Sequence, residues 1–570
     1  MKLVTDVKTF FSDWRNLLAL GSLGAVGAWV YSRVWMVNPA ILGDEYLYSI
    51  NARKVGPWDP APVGDFSNYL FNFVYQATNL CGGSFYNCAK VLNIGFFLGF
   101  IFIIYLVALR FLPFWGAYAF MLAAGLSPLS VYTSMFLPES MFFFFIGLLL
   151  LAVLRAANDF TIKNWALAGI VIGVASLVKP HAWLSAIAVG ITLVVIGLTQ
   201  KNIGFKGTFI AGLVLVAGAA IGRVVVGLAV GGPKALGFFG AYFGLDTIEE
   251  VVSGPVVGDS EQIVGTSPMN GVIALFGTQF NTHLLTIMAL MGIAIIGLVV
   301  GLVDLIRTRE LKPVSAFALF SFIWLFSLMI EIVIFTGWIT GGGDDHTTRV
   351  LLRYYDFLFV IVPLAGLSVF VANLQERVNV FIRWGLAFAV GALITPAFSG
   401  FFGSLTIQIA DAPNLAGLVV NQDVFNSAAL MGFATVILFA TFPKFVPWAF
   451  VALLPVTLVG TGWQIQDQYQ GFRAELSASD KAGQYINANF TQEEIDRALI
   501  LATSRFDATN VAIWADSSKV TYETYGPGSL YDASMAEAGT SFIATSGDLV
   551  VVGDYSSTIQ GDGYTIYIID

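Results

Sequence analysis

Asp44 and Glu45 stand side by side in Gly43-Asp44-Glu45-Tyr46-Leu47-Tyr48, and Arg53 and Lys54 follow close behind. A carboxylate at a membrane–water boundary can accept a proton from an incoming hydroxyl or amine. Asp44 would equally cap a helix running from Glu45 to Lys54, and local sequence does not separate the two. Glu139 follows Leu137-Pro138 and opens a Phe-rich apolar run, where the helix dipole favours a carboxylate whatever its use. Lys179 closes one apolar run and Pro180 helps start the next. A cation at a helix C-terminus is ordinary, and it is also where a phosphate could be held. Arg349 and Arg353 are four apart, so a helix would set them on one face. Two adjacent guanidiniums repel unless an anion lies between them, which makes a phosphate or diphosphate a natural partner. The other reading is a headgroup anchor, with Tyr354 and Tyr355 as interfacial aromatics.

These residues must be positioned by a membrane-spanning framework. The chain is 57% hydrophobic and 11% charged, against about 25% charged for soluble domains. A spanning helix needs about 20 apolar residues. Thirteen candidate segments fall near 16–38, 91–110, 112–127, 141–155, 164–179, 182–199, 207–231, 284–306, 314–338, 355–374, 380–398, 426–442 and 445–463. Basic residues in short loops set orientation. Lys2, Lys8, Arg15, Arg110, Arg155, Lys163, Arg307, Arg309 and Arg377 predict a cytoplasmic N-terminus. The loops 39–90, 232–283, 339–354 and 399–425 and the tail from 464 then lie on the periplasmic or extracellular face of a plasma or inner membrane. All three histidines (His181, His283 and His346) fall at that face, each as readily structural as reactive. Charges inside spans would mark an ion path; Arg223 and Glu331 are too few for a pump.

Residues 464–570 differ in kind. They hold 5 Lys+Arg and 15 Asp+Glu, against 23 and 22 in the rest. Thr491-Gln492-Glu493-Glu494 fits a capping box, and 498–503, 520–525, 549–553 and 564–569 read as strands. The expected organisation is a transmembrane domain over 1–463 and an acidic exoplasmic α/β domain over 464–570. The only two cysteines, Cys81 and Cys88, share the first outside loop. They either pair there or stand as two small apolar residues.

In layout, residues 16–460 resemble the GT-C superfamily of membrane glycosyltransferases, which use polyprenyl-phosphate-linked sugars. The likeness is to protein O-mannosyltransferases and the lipid A aminoarabinose transferase. It rests on Asp44, Glu45, Tyr48, Ala52 and Arg53 after the first span, on the Ser127-Pro128 to Glu139 turn and on Leu177-Val178-Lys179-Pro180. The Arg349-x-x-x-Arg353-Tyr354-Tyr355 segment completes it. The resemblance implies a polytopic α-helical fold of about 11–13 transmembrane helices with a small C-terminal α/β domain. It implies an inverting transfer in which Asp44 is the base. Glu45, Arg53, Tyr48, Tyr354, Glu139 and His346 would support it, and Arg349, Arg353 and Lys179 would hold the donor phosphate. A second acidic role late in the first loop falls to Asp59 or Asp65. No metal is assigned, although Asp344, Asp345 and His346 would be the place for a divalent ion. The expected partners are a polyprenyl-phosphate-linked sugar, a glycan, glycolipid or protein acceptor, and the lipid bilayer, with no nucleic acid. The whole-glycan signature Trp-Trp-Asp-Tyr-Gly is absent. A flippase or transporter of lipid-linked saccharide, or a polysaccharide polymerase or ligase, is the competing expectation.

Overall fold

The computed structural model describes residues 13–40, 42–55, 68–200, 203–237, 268–340 and 349–569. Within these, all thirteen apolar segments are helical. Ten helical stretches are long and apolar enough to cross a membrane, or eleven counting the pair Phe114–Gly125 and Pro128–Ser134, which bends by 47°. The remaining two, Ile162–Ala175 and Leu358–Val371, are helices of 14 residues each, shorter than a full span. The chain is a multi-pass helical membrane protein.

The elements that position the charged residues are α1 (Trp14–Val34), α2 (Leu42–Ile50), α3 (Phe85–Ala108), α4 (Glu139–Asn158), α5 (Ile162–Ala175), α6 (Ala182–Thr199), α7 (Gly204–Gly231), α8 (Leu358–Val371) and α9 (Pro413–Val419). Helices α5 and α7 cross at glycine contacts. A Cβ at Gly169 or Gly173 would strike the carbonyls of Leu215 and Ala219, and one at Gly218 or Gly222 the carbonyls of Ala166 and Ile170. Small residues four apart let two backbones touch where no hydrophobic force separates helix from lipid. Arg223 of α7 is fully buried there. It donates to Ser176 Oγ at 2.9 Å and to the Ser176 and Gly237 carbonyls, closing the end of α5.

The last helical stretch runs on to Arg473 through α10 (Thr461–Arg473). Beyond it lie α11 (Ala478–Asn489), α12 (Arg505–Ala515) and seven strands: β1 (Leu499–Ala502), β2 (Thr521–Thr524), β3 (Leu530–Asp532), β4 (Phe542–Ser546), β5 (Val550–Val552), β6 (Ser557–Gln560) and β7 (Tyr564–Ile568). The main sheet has the order β2-β1-β4-β7-β6. β1 is parallel to β2 and β4, while β7 is antiparallel to β4 and β6. A parallel neighbour needs a crossover, and α12 supplies it between β1 and β2. The four expected strands are β1, β2, β5 and β7, and the Thr491–Glu494 capping box closes reciprocally. One apolar core runs from the bundle helices into the sheet through Ile486, Ile500, Val511 and Phe542. Cys81 and Cys88 form a disulfide in the first loop.

Candidate active site

Asp44 and Glu45 sit in the first turn of α2, so Asp44 lies inside the helix rather than at its cap. Adjacent helical side chains point about 100° apart, and the two carboxylates part company accordingly. Glu45 is fully buried. Its Oε1 accepts from the Tyr86 hydroxyl at 2.6 Å and the Phe136 amide at 2.7 Å, and its Oε2 accepts from the Ala40 amide at 2.8 Å. Tyr86 also donates to the Ser134 carbonyl. Glu45 thereby pins α2 to the turn before α4, and Asp44 is left facing a second group of charges.

That group is an ion network drawn from four distant stretches of chain. Arg353 Nη2 lies 2.7 Å from Asp44 Oδ2. Its Nε is 3.7 Å from Glu139 Oε1, and its Nη1 is 3.7 Å from Asp411 Oδ1. Lys179 Nζ donates to Glu139 Oε1 at 2.8 Å. Arg349 Nε and Nη2 both reach Asp411 Oδ2 at 2.7 Å. Three cations meet three carboxylates. Asp44 and Arg349, at 37% and 31% side-chain exposure, form the open edge, while Lys179, Glu139 and Asp411 are nearly closed off. Glu139 Oε2 and Arg353 Nε are buried and make no hydrogen bond within the described residues. Buried polar atoms are normally satisfied, so these two are unused valences inside the network.

Local sequence explains each placement. Pro180 lacks an N–H and disfavours helix at the residue before it. α5 has already ended at Ala175, Lys179 sits in the non-helical link ahead of Pro180, and α6 restarts at Ala182. Glu139 takes the first position of α4, directly after Pro138. The two arginines do not share a helix face. Arg349 makes a β-bridge with Thr406, and Leu352–Tyr354 is a single tight 3-10 turn whose Arg353 amide donates to the Asp411 carbonyl at 2.7 Å. The anion between the two guanidiniums is the carboxylate of Asp411.

Tyr354 lies beneath the network. Its ring is 4.9 Å from Lys179 Nζ and 5.6 Å from the Arg353 guanidinium carbon, and it packs on the His181 ring at 4.5 Å. Burial, with the Lys179 and Arg353 charges, holds His181 well below the usual imidazole range, so it is neutral. Burial also lowers Lys179, opposed by Glu139. Burial alone would lower Arg353, but Asp44, Tyr354, Glu139 and Asp411 outweigh it and raise the guanidinium further.

Asp356 backs the site. Its Oδ2 accepts from Tyr132 at 2.5 Å and its Oδ1 from Asn414 of α9 at 3.0 Å. Tyr132 also reaches the Ala410 carbonyl, so this trio fixes the loop that carries Asp411. Burial pushes the Asp356 carboxyl up to about 7 against those two hydrogen bonds. Neighbouring Tyr355 pairs with His283 Nδ1 at 2.6 Å.

Of the expected residues, the structure therefore gathers Asp44, Glu139, Lys179, Arg349, Arg353 and Tyr354. Glu45 stands behind them. Tyr48 packs in an aromatic cluster, its ring 5.6 Å from that of Phe71. Arg53 points away, making a two-pronged pair with Asp516 at 2.6 and 3.0 Å. Asp59, Asp65, Asp344, Asp345 and His346 lie outside the described residues. Among the described residues no cluster of three or more metal-ligating side chains occurs. Asp411 and Asp356 were not singled out from sequence.

A bundle of apolar helices carrying a partly exposed ion network, together with an α/β region, defines a polytopic membrane protein. No protein-family profile matches the chain, and no curated protein matches it. Its fold is similar to that of ArnT from Cupriavidus metallidurans bound to undecaprenyl phosphate, with 13% identity, 97% of each chain covered and a TM-score of 0.46. It is also similar to the Archaeoglobus fulgidus oligosaccharyltransferase tethered to an acceptor peptide, with 11% identity and a TM-score of 0.45. That match covers 90% of this chain and 64% of the other.

Proposed function

We propose that the protein transfers a sugar from a polyprenyl-phosphate donor to an acceptor hydroxyl, with inversion, at the end of the bundle that carries Asp44. One observation carries this reading. Asp44 is a half-exposed carboxylate joined through Arg353 to a buried network of lysine, arginine and carboxylates that keeps unused hydrogen-bonding capacity. An acid–base group and a cationic anchor are thus held in one rigid unit. In the reaction, Asp44 takes the proton from the acceptor hydroxyl as its oxygen attacks the anomeric carbon. The carbon–oxygen bond to phosphate breaks, and polyprenyl phosphate leaves with the electron pair. Arg349 at the open edge and Arg353 behind it stabilise the charge growing on that phosphate, with Lys179 adding its field from below. Glu45 and Glu139 are positioning residues, Glu45 for α2 and Glu139 for Lys179 and Arg353. The basic asymmetry of the loops supports a location of this end of the bundle on the non-cytoplasmic face.

Purified protein mixed with a polyprenyl-phosphate sugar and an acceptor extract tests the reading through release of free polyprenyl phosphate. Asp44→Asn is expected to lower turnover by about 10²–10⁴-fold with little change in stability, because a half-exposed pair contributes only about 0–1 kcal/mol. Wild-type turnover by that variant removes Asp44 as the base. Lipid-linked saccharide crossing vesicles without cleavage would favour the transporter instead.

A further inference from the structure

A second site lies away from the ion network. A cavity of about 850 Å³ opens where the end of α1, the disulfide loop and the start of α3 face α11 and the end of α12. Neither Asp44 nor any of the residues bonded to it lines this space. Arg53, nine residues after Asp44 on the helix that begins with α2, forms part of its wall, roughly 13 Å along the axis from Asp44.

Three cations line the cavity, and all are already engaged. Arg53 gives both Nη groups to Asp516, and Lys54 lies 2.9 Å from the same carboxylate. Lys90 donates to the Trp35 and Val37 carbonyls and to Asn87 Oδ1, at 3.0, 2.6 and 3.0 Å. An anionic ligand would have to displace these contacts. The remaining polar lining is uncharged and amide-rich. Gln484 and Asn487, one helical turn apart on α11, make no hydrogen bond within the described residues, and Asn87 keeps its N–H donors. Each amide both donates and accepts, which is the requirement for reading hydroxyl groups. The apolar walls are the indole rings of Trp35, 40% exposed, and Trp514, whose Nε1 is tied to Asp480 at 2.8 Å. Tryptophan presents a broad, rigid apolar face, to which the C–H face of a pyranose is complementary.

Unspent amides in a cavity walled by two tryptophans, with each cation already bonded to protein oxygens, match a neutral polyhydroxylated ligand. We propose that this cavity is a carbohydrate-binding site for an uncharged oligosaccharide, separate from the transfer site. The proposal stands on the cavity lining and does not rest on the transferase reading.

The test uses the full-length protein in lipid nanodiscs, labelled and applied to an array of immobilised neutral and acidic oligosaccharides. Retention on neutral saccharides is expected. It should fall at least ten-fold in Gln484→Leu/Asn487→Ala and in Asn487→Trp, which fills the space from an exposed position and leaves the fold intact. Asp44→Asn should bind as wild type does, so failure of the base assignment and failure of this site are read separately. No retention on any neutral saccharide, preference for acidic ones, or equal retention by both cavity variants overturns the proposal.

Discussion

Removing one charge of the Glu139–Lys179 pair should cost far more than removing both. Their side chains are 1% and 3% exposed, and Oε1 and Nζ are 2.8 Å apart. Glu139→Gln leaves the Lys179 ammonium buried with no carboxylate at contact distance. Stranding one member of a buried ion pair costs about 3–5 kcal/mol. Arg353 loses little in that variant, since it keeps Asp44 at 2.7 Å and Asp411 at 3.7 Å. Lys179→Met strands Glu139 in turn, with only the Arg353 Nε at 3.7 Å, and a similar loss is expected. The double variant Glu139→Gln/Lys179→Met removes both desolvated charges at near-constant volume, which is often close to neutral. With each single variant costing about 3–5 kcal/mol and the double near zero, the coupling energy should be about 6–10 kcal/mol, above the roughly 0.5–3 kcal/mol usual for contacting residues. Denaturant unfolding of the four proteins in mixed micelles, followed by circular dichroism, measures it. A Glu139→Gln cost under about 1 kcal/mol, or a double variant as unstable as the sum of the singles, would refute the buried network.

Two further outcomes follow from the same geometry. Asp356 is raised to about 7 in the folded protein, so the native state holds its proton where the unfolded chain has released it. Its contribution is therefore present below the unfolded value and lost as pH climbs toward 7; Asp356→Asn should flatten the stability profile between about pH 4 and 7, and an unchanged slope contradicts the assignment. Asp516→Asn leaves Arg53, 4% exposed, without its carboxylate, at a cost of about 3–5 kcal/mol; limited proteolysis should then release fragments of the region beyond Arg473 faster than in the wild type.

The apolar helices were legible because a bilayer demands long uncharged runs, and that demand is local in sequence. The same holds for Thr491–Glu494 and for strands such as β7, which follows the Gly561-Asp562-Gly563 turn. β4 escaped because Phe542–Ser546 ends in Ala-Thr-Ser and lacks the unbroken apolar run that marks the equally buried β1. Arg349 and Arg353 were found by type and spacing, but the helix predicted from that spacing did not form. The Thr406 bridge and the tight turn at Leu352–Tyr354 supply the backbone bonds instead, and both depend on chain more than fifty residues away. Asp411 carries no local signal. Nothing near it in sequence is its partner, and its value comes from guanidiniums 58 and 62 positions earlier. Glu45 and Asp44 looked alike as neighbours; only the fold shows that one carboxylate is fully hydrogen-bonded and the other half open.

The most direct test of the central claim is a cryo-EM map of the protein in nanodiscs with polyprenyl phosphate. The account predicts phosphate density touching Arg349 and Arg353, with the Asp44 carboxylate drawn off Arg353 toward the open edge. Phosphate bound elsewhere, with the Asp44–Arg353 contact intact, would contradict it.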